Sequence, residues 1–381
     1  MSARDSAKNG SIVPIASFRW IGVLVLSAAA GLPAAAQSGA EPGYLFNDSH
    51  FHLTNYVQQG TDVHDYLAIM GDKVGRSTLF GIPLQQTWSH ENSGDFAPTY
   101  YLQTDAPLYY YSFTDAFIAM TYRSLAPAQQ ARLDPMITGF NPADMYAADH
   151  IVRVLETFPG VFTGIGEFTI HKEFVSSKVA GDTASLTDPA LDRILELAAE
   201  VGLVVILHCD IDMPFAKPDQ EPVYLKQMKD LLRRHPGTTI IWAHTGLGRV
   251  VHPPQSQAVS GTVETNPNHR AIVTALLEDP TLGHVYFDIS WDEVAKYAVS
   301  SPEIETAVAG LFNRFPDRFL FGTDNVAPSD QATQLRVFRL WDRIISQLTP
   351  EASFSIRLGN YNRLFDAARV RVRAWEKEHL K

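Results

Sequence analysis

Between Tyr44 and Asp324 the chain alternates short apolar runs of strand length with stretches of helical periodicity, and no other feature restricts its fold as much. Eight such runs can be read: 44–52 (YLFNDSHFH), 77–84 (STLFGIPL), 135–141 (PMITGFN), 162–168 (FTGIGEF), 203–208 (LVVILH), 238–244 (TTIIWAH), 284–290 (HVYFDIS) and 318–324 (RFLFGTD). Helical stretches fit between them, including 62–74, 188–201, 221–235, 268–279 and 301–315, and another follows the last run at 330–348. Strands joined by returning helices run parallel. Eight units in a chain of 381 residues predict an α/β protein, a single (β/α)8 TIM barrel with long strand-to-helix loops and a C-terminal helical extension. An open doubly wound sheet would alternate in the same way, but no G-x-G-x-x-G turn follows the first strand, as its dinucleotide-binding form requires. Connections from helix to strand are short, whereas those from strand to helix are long, notably 85–111, 169–187, 209–220 and 249–267. In a barrel these long loops gather at one end and build the reaction face there.

The first residues do not belong to this pattern. Arg4, Lys8 and Arg19 precede the apolar run WIGVLVLSAAAGL and a small-residue stretch in which Ala34 and Ala36 give an A-x-A pattern. This predicts a signal peptide over 1–36, with cleavage before Gln37, and an exported, periplasmic or secreted barrel domain over 37–381. The apolar run is short for a membrane span, so no stable membrane insertion is expected after cleavage, although a retained anchor is the alternative. Cleavage removes three basic residues and one acidic residue from totals of 31 and 42, leaving 28 against 41. That acidic balance argues against a nucleic-acid partner held through its phosphates. Cys209 is the only cysteine, so no internal disulfide can form and stability must come from the core.

Residues able to bind a metal stand where the apolar runs stop: His50 and His52, then Glu167, His208, His244 and Asp324. In an extended strand alternate side chains share a face, so His50 and His52 project together, with Asp48 on the same side. A single buried histidine is more often a satisfied core residue than a ligand, and an aspartate in G-T-D is more often a turn or cap. In a barrel, however, the C-terminal ends of all strands converge on one mouth, where these residues would meet.

The stretches DSHFH, GIGEF, LHCD, WAHTG, LFGTD and, at Gly359–Phe365, GNYNRLF together resemble the amidohydrolase superfamily, most closely its amidohydrolase-2 branch of barrel hydrolases and decarboxylases. The resemblance spans nearly all of the chain after residue 36. It implies a divalent metal held by His50, His52, His208 and Asp324, with His244 binding a second metal or contacting the attacking water and the substrate. Neutral imidazoles and a carboxylate suit Zn2+, with Mn2+ and Fe2+ as alternatives. Such an ion lowers the pKa of a bound water toward neutrality. Asp324 is the expected proton acceptor and donor in catalysis, and His244 is expected to polarise the substrate oxygen or steady the hydroxide. Glu167 resembles the strand-four glutamate of the metal-dependent deoxyribonuclease relatives; if that role carries over, the site holds two ions, and otherwise Glu167 pairs with a neighbour such as Lys172. Asp48 is expected either to steady the ligands or to serve as a turn residue.

The implied activity is hydrolysis of an amide, lactone or ester bond in a small organic substrate by an exported enzyme. The same metal site serves non-oxidative decarboxylation of an aromatic or enol carboxylate, and a metal-binding barrel without catalysis is the remaining reading. Arg249, His171, Asp210 and Trp291 are the expected substrate contacts, with Asp212 and Asp288 on the same predicted face. The aromatic-rich loop after the second strand suits a lid or a seal onto the barrel. The expected partner is a small-molecule substrate, with a homodimer kept open.

Overall fold

The computed structural model describes residues 43–54, 60–82, 113–172, 184–212, 221–248 and 269–380. The expected leader, Arg249 and most of the four long strand-to-helix loops, including their aromatic stretch, lie outside these residues. Eight parallel strands form one sheet in sequence order: β1 (Phe46–Asp48), β3 (Val74–Leu79), β4 (Leu133–Ile137), β5 (Gly164–His171), β6 (Val204–Cys209), β7 (Ile240–Trp242), β8 (Val285–Asp288) and β9 (Phe319–Leu320). Each overlaps one of the eight apolar runs. The first and last units then meet. The Ser49 amide donates to the Phe321 carbonyl at 3.0 Å and the Asp324 amide to that of His50 at 2.8 Å, while β2 (Phe51–His52) pairs in parallel with β10 (Asn325–Val326). This is a (β/α)8 barrel.

Among the described residues the α-helices of seven residues or more are α1 (Val63–Met70), α2 (Phe113–Arg123), α3 (Ala147–Thr157), α4 (Pro189–Val201), α5 (Leu225–Arg234), α6 (His269–Glu278), α7 (Asp292–Ala298), α8 (Pro302–Arg314), α9 (Gln331–Leu340) and α10 (Asn360–His379). Several start where the sequence supplies a cap. Asp62, Asp188, Ser301 and Asp330 each accept backbone N–H bonds from the first turn of α1, α4, α8 and α9, and Pro189 and Pro302 occupy first positions whose N–H would have no partner in the helix.

Two cores follow from strand alternation. Val205 and Leu207 of β6 face outward into the large core between sheet and helices, whereas Val204 and Ile206 face inward with Met136, Ile241, Ala243 and Leu320. His208 continues the inward series at the mouth. At the opposite end α10 adds Tyr361, Leu364, Phe365 and Ala368 to the interior, which gives the barrel a sealed floor. An ionic latch holds that floor: buried Asp134 on β4 accepts from Arg76 on β3 at 2.8 Å, from Arg369 at 2.6 Å and from the Tyr361 hydroxyl at 2.8 Å. The amide of Asn360 bonds the carbonyls of Pro316 and Phe319 at 2.7 and 2.8 Å. The GNYNRLF stretch thus works at the closed end of the barrel, far along the strands from the histidines.

Candidate metal centre

Six side chains at the mouth carry the centre: His50, His52, Glu167, His208, His244 and Asp324. His50 Nε2 lies 3.5 Å from Glu167 Oε2 and 3.4 Å from Asp324 Oδ1, and His52 Nε2 lies 3.5 and 3.3 Å from the same two oxygens. Ligand atoms of these four residues all fall within 4.8 Å of one another. His208 does not join them. Its Nδ1 lies 2.6 Å from the other carboxylate oxygen, Glu167 Oε1, which is also 3.3 Å from His244 Nε2, so Glu167, His208 and His244 form a second group. The geometry therefore differs from a single shell of His50, His52, His208 and Asp324: Glu167 stands between two groups and presents one oxygen to each.

Glu167 reaches this position because β5 breaks its alternation. Ile165 pairs with Val205 and Phe168 with Leu207, so three steps on β5 match two on β6. Ile165 and Phe168 both face the outer core, and the extra residue lets Glu167 turn inward where strict alternation would send it outward. Gly166 is required there: its φ is +115°, and an added Cβ would sit 2.1 Å from the Ile206 carbonyl oxygen. His244, Asp324 and Trp291 also have left-handed backbones, with φ of 55°, 55° and 75°, conformations that cost a non-glycine residue about 1–3 kcal/mol each.

The histidine rings are held from behind. Asp288 Oδ2 accepts from His50 Nδ1 at 2.9 Å, and Asp288 Oδ1 accepts from the His244 amide at 2.8 Å. Ser290 Oγ lies 2.8 Å from His244 Nδ1 and bonds Asp288 in turn. Asp210 Oδ1 accepts from His208 Nε2 at 3.0 Å. Fixing one ring nitrogen by an outer acceptor sets the tautomer and aims the other nitrogen inward, as in metal-ligating histidines. The buried Nε2 atoms of His50 and His244 have no hydrogen-bond partner, although they face carboxylate oxygens. His208 has a carboxylate oxygen at each ring nitrogen, 2.6 Å from Nδ1 and 3.0 Å from Nε2; burial and Lys172 oppose charge on it, yet Glu167 and Asp210 raise its pKa above the ordinary value.

Charge points the same way. Burial would raise the pKa of Glu167, but His50, Lys172 and His208 outweigh it and hold the carboxyl well below its usual range. Burial likewise opposes ionisation of Asp324, and His52, His244 and His50 overcome it and lower its pKa. Burial disfavours charge on His50, yet Asp288 and Glu167 together raise its pKa well above the ordinary value. Burial lowers that of His244. The cluster thus sets two ionised carboxylates, Glu167 and Asp324, among buried imidazoles. Buried carboxylates of this density are stable only when paired or ligating. The donor set fits one or two divalent ions: nitrogen and carboxylate oxygen suit Zn2+, and Glu167 is placed to bridge.

The remaining expected residues take various places. Asp48 is fully buried, and burial pushes its pKa up to about 6. It accepts from the Thr323 amide at 2.8 Å, the Thr323 hydroxyl at 2.6 Å, the Gln334 amide at 2.7 Å and the His50 amide at 3.2 Å, so it fastens β1 to the turn bearing Asp324. Asp210 buttresses His208. His171 stacks on Tyr224 at 3.7 Å, both its ring nitrogens lack hydrogen-bond partners, and burial lowers its pKa to about 4. Trp291 lies 5.2 Å from the His244 ring. Asp212 accepts from the Val223 amide at 3.1 Å. Sequence reading placed Asp288 only on the pocket face and did not single out Ser290; their two-residue spacing at the end of a run, the same as that of His50 and His52, was the available signal. Phe80, packed edge-on against His52 with ring centres 4.6 Å apart, carried no such signal.

Comparison with known proteins agrees with this architecture. No curated protein sequence matches the chain. A zinc-bound amidohydrolase from Burkholderia multivorans has a similar fold, at 15% identity and a TM-score of 0.53 over 84% of this chain and 99% of that one. A dihydroorotase from Campylobacter jejuni is 12% identical, with a TM-score of 0.48 over 84% and 83% of the two chains. Amidohydrolase 2 from Bifidobacterium longum subsp. infantis is 16% identical, with a TM-score of 0.45 over 84% and 98%. The amidohydrolase family model matches residues 48–366, from the aspartate before the paired histidines to the helix that seals the floor. The chain belongs to the amidohydrolase-2 family.

Proposed function

We propose that this protein is a metal-dependent hydrolase that cleaves an amide, lactone or ester bond in a small organic substrate, and that it holds two divalent ions. His50, His52, Glu167 and Asp324 would hold one ion, and Glu167, His208 and His244 the other, with Zn2+ the expected metal. The observation that carries this reading is the position of Glu167, with one oxygen toward each group of inward-facing imidazole nitrogens. When bound, the ions supply Lewis acidity and lower the pKa of water.

The chain's own residues supply the rest. Asp324, with 13% of its side chain exposed, is the most accessible of the six and is ionised, so it can take a proton from the attacking water and return it to the leaving group. Asp288, Asp210 and Ser290 keep the imidazoles from turning as charge changes in front of them. Trp291 gives a flat wall beside His244 against which an organic substrate can lie.

Metal content and turnover test the proposal together. Purified protein should carry about two equivalents of transition metal, His208→Ala and His244→Ala should each lower that to about one, and Asp324→Asn should abolish turnover in a folded protein. A panel of lactones, esters and amides is read against aromatic and enol carboxylates, with carbon dioxide measured. Release of carbon dioxide without hydrolysis would replace hydrolase by decarboxylase, and full activity in metal-stripped protein would end both.

A further inference from the structure

A cavity of about 40 Å3 lies in the layer between sheet and helices, lined from α6, α7, α8 and β9. One water needs roughly 10–15 Å3, so there is room for more than one. Val273, Ile289, Val308, Phe312 and Phe319 make most of its wall apolar. His269 and Trp341 bring polar atoms into that wall. They are 4% and 1% exposed, and neither His269 Nδ1 nor Trp341 Nε1 has a hydrogen-bond partner. The other ring nitrogen of His269, Nε2, donates to Thr245 Oγ1 at 3.1 Å, and the Thr245 hydroxyl donates in turn to the His244 carbonyl. Burial lowers the His269 pKa to about 4, so the ring is neutral at pH 7 and Nδ1 presents a lone pair. The indole Nε1 presents a proton. Tyr297 packs edge-on against the imidazole with ring centres 5.9 Å apart and steadies its plane. An acceptor and a donor on a mostly apolar wall are costly unless something meets them both.

We propose that this cavity is a binding site for a small neutral molecule with one hydroxyl group, a short alcohol. A hydroxyl can donate to His269 Nδ1 and accept from Trp341 Nε1 through the same oxygen, while the alkyl part lies on the hydrocarbon and aromatic wall. A carboxylate has no proton for Nδ1, and an ammonium has no lone pair for the indole. Water suits the volume less well, because several molecules would fill it and each needs about two to four polar partners on a wall that is mostly hydrocarbon. Donation to Nδ1 also holds His269 in the tautomer that bonds Thr245. An occupant thereby steadies the left-handed turn of His244 and Thr245, whose φ values are 55° and 56°. The site stands apart from the metal-binding side chains and reaches them through this turn.

Nuclear magnetic resonance of the metal-loaded protein tests the site through the indole N–H of Trp341, whose signal is assigned by its loss in Trp341→Phe. Titration of the wild type with ethanol should shift that signal and then saturate. His269→Leu keeps the reporter and removes the acceptor, so it should weaken ethanol binding by roughly tenfold. Val308→Phe fills the cavity with both polar groups left in place, and should abolish the response. An indole signal that ethanol leaves unmoved in the wild type, or moves without saturation, overturns the inference. Equal ethanol affinity in wild type and His269→Leu, or a full response in Val308→Phe, overturns it as well.

Discussion

Asp288 makes three attachments from one fully buried carboxylate, to the His50 ring, the His244 amide and Ser290. Asp288→Asn keeps the size but offers an amide where His50 needs an anionic acceptor. We expect metal affinity to fall by about tenfold to a hundredfold, measured by chelator competition, with thermal stability changed far less. A second residue-scale consequence concerns His269. Its Nε2 lies 3.1 Å from Thr245 Oγ1, and the Thr245 hydroxyl donates to the His244 carbonyl at 2.6 Å, so the Nε2–H of His269 donates to Thr245. Burial lowers the His269 pKa to about 4 from an ordinary 6.5. Between those values the unfolded chain binds a proton that the folded protein refuses. The contribution is therefore complete above pH 6.5 and is lost as pH falls toward 4, by up to about 3 kcal/mol. Denaturant titrations of wild type and His269→Gln at pH 7 and pH 4.5 should show the wild type losing more stability on acidification. Equal losses would remove this account.

At the scale of elements, β5 shows how far sequence could reach. Each of the eight strands was legible as an apolar run, and the inward parity of His208 follows from Val204 and Ile206. Glu167 was read as ending a strand, whereas β5 runs on to His171, and only its resemblance to a strand-four glutamate, not the pattern of residues, offered it a part in a two-ion site. Parity alone turns it away from the mouth, and the extra residue that reverses its direction leaves only a glycine as its mark in the sequence. The assignment of His208 to the group of His244 was hidden for the same reason, since it depends on which oxygen of Glu167 each ring meets. Helices α2, α3 and α7 were not among the stretches read from periodicity. Gly166→Ala tests the bulge directly. Its methyl group collides with the Ile206 carbonyl and its φ is unfavourable, so unfolding free energy should drop by roughly 2–3 kcal/mol and metal content should fall with it. Wild-type stability and full metal loading in this variant would refute the requirement.

The molecule as a whole divides its tasks between the two ends of the barrel. The mouth gathers ionisable groups whose arrangement costs stability, and the floor carries the latch of Asp134 with Arg76, Arg369 and Tyr361. Removing the shared carboxylate leaves two guanidinium groups beside a buried gap, so Asp134→Ala should cost about 3–5 kcal/mol in chemical denaturation. Its turnover per folded molecule should stay near wild type, because β4 places Asp134 at the end of the barrel away from the metal-binding groups. The seating of α10 in that floor has a further consequence. Among the described residues Tyr361 and Phe365 plug the rear of the barrel, so traffic is expected through the mouth, and spent product would retreat along the route by which fresh substrate arrives. Accumulated product should then act as a competitive inhibitor, and slow exit through that shared passage would throttle the enzyme however fast the bond is broken.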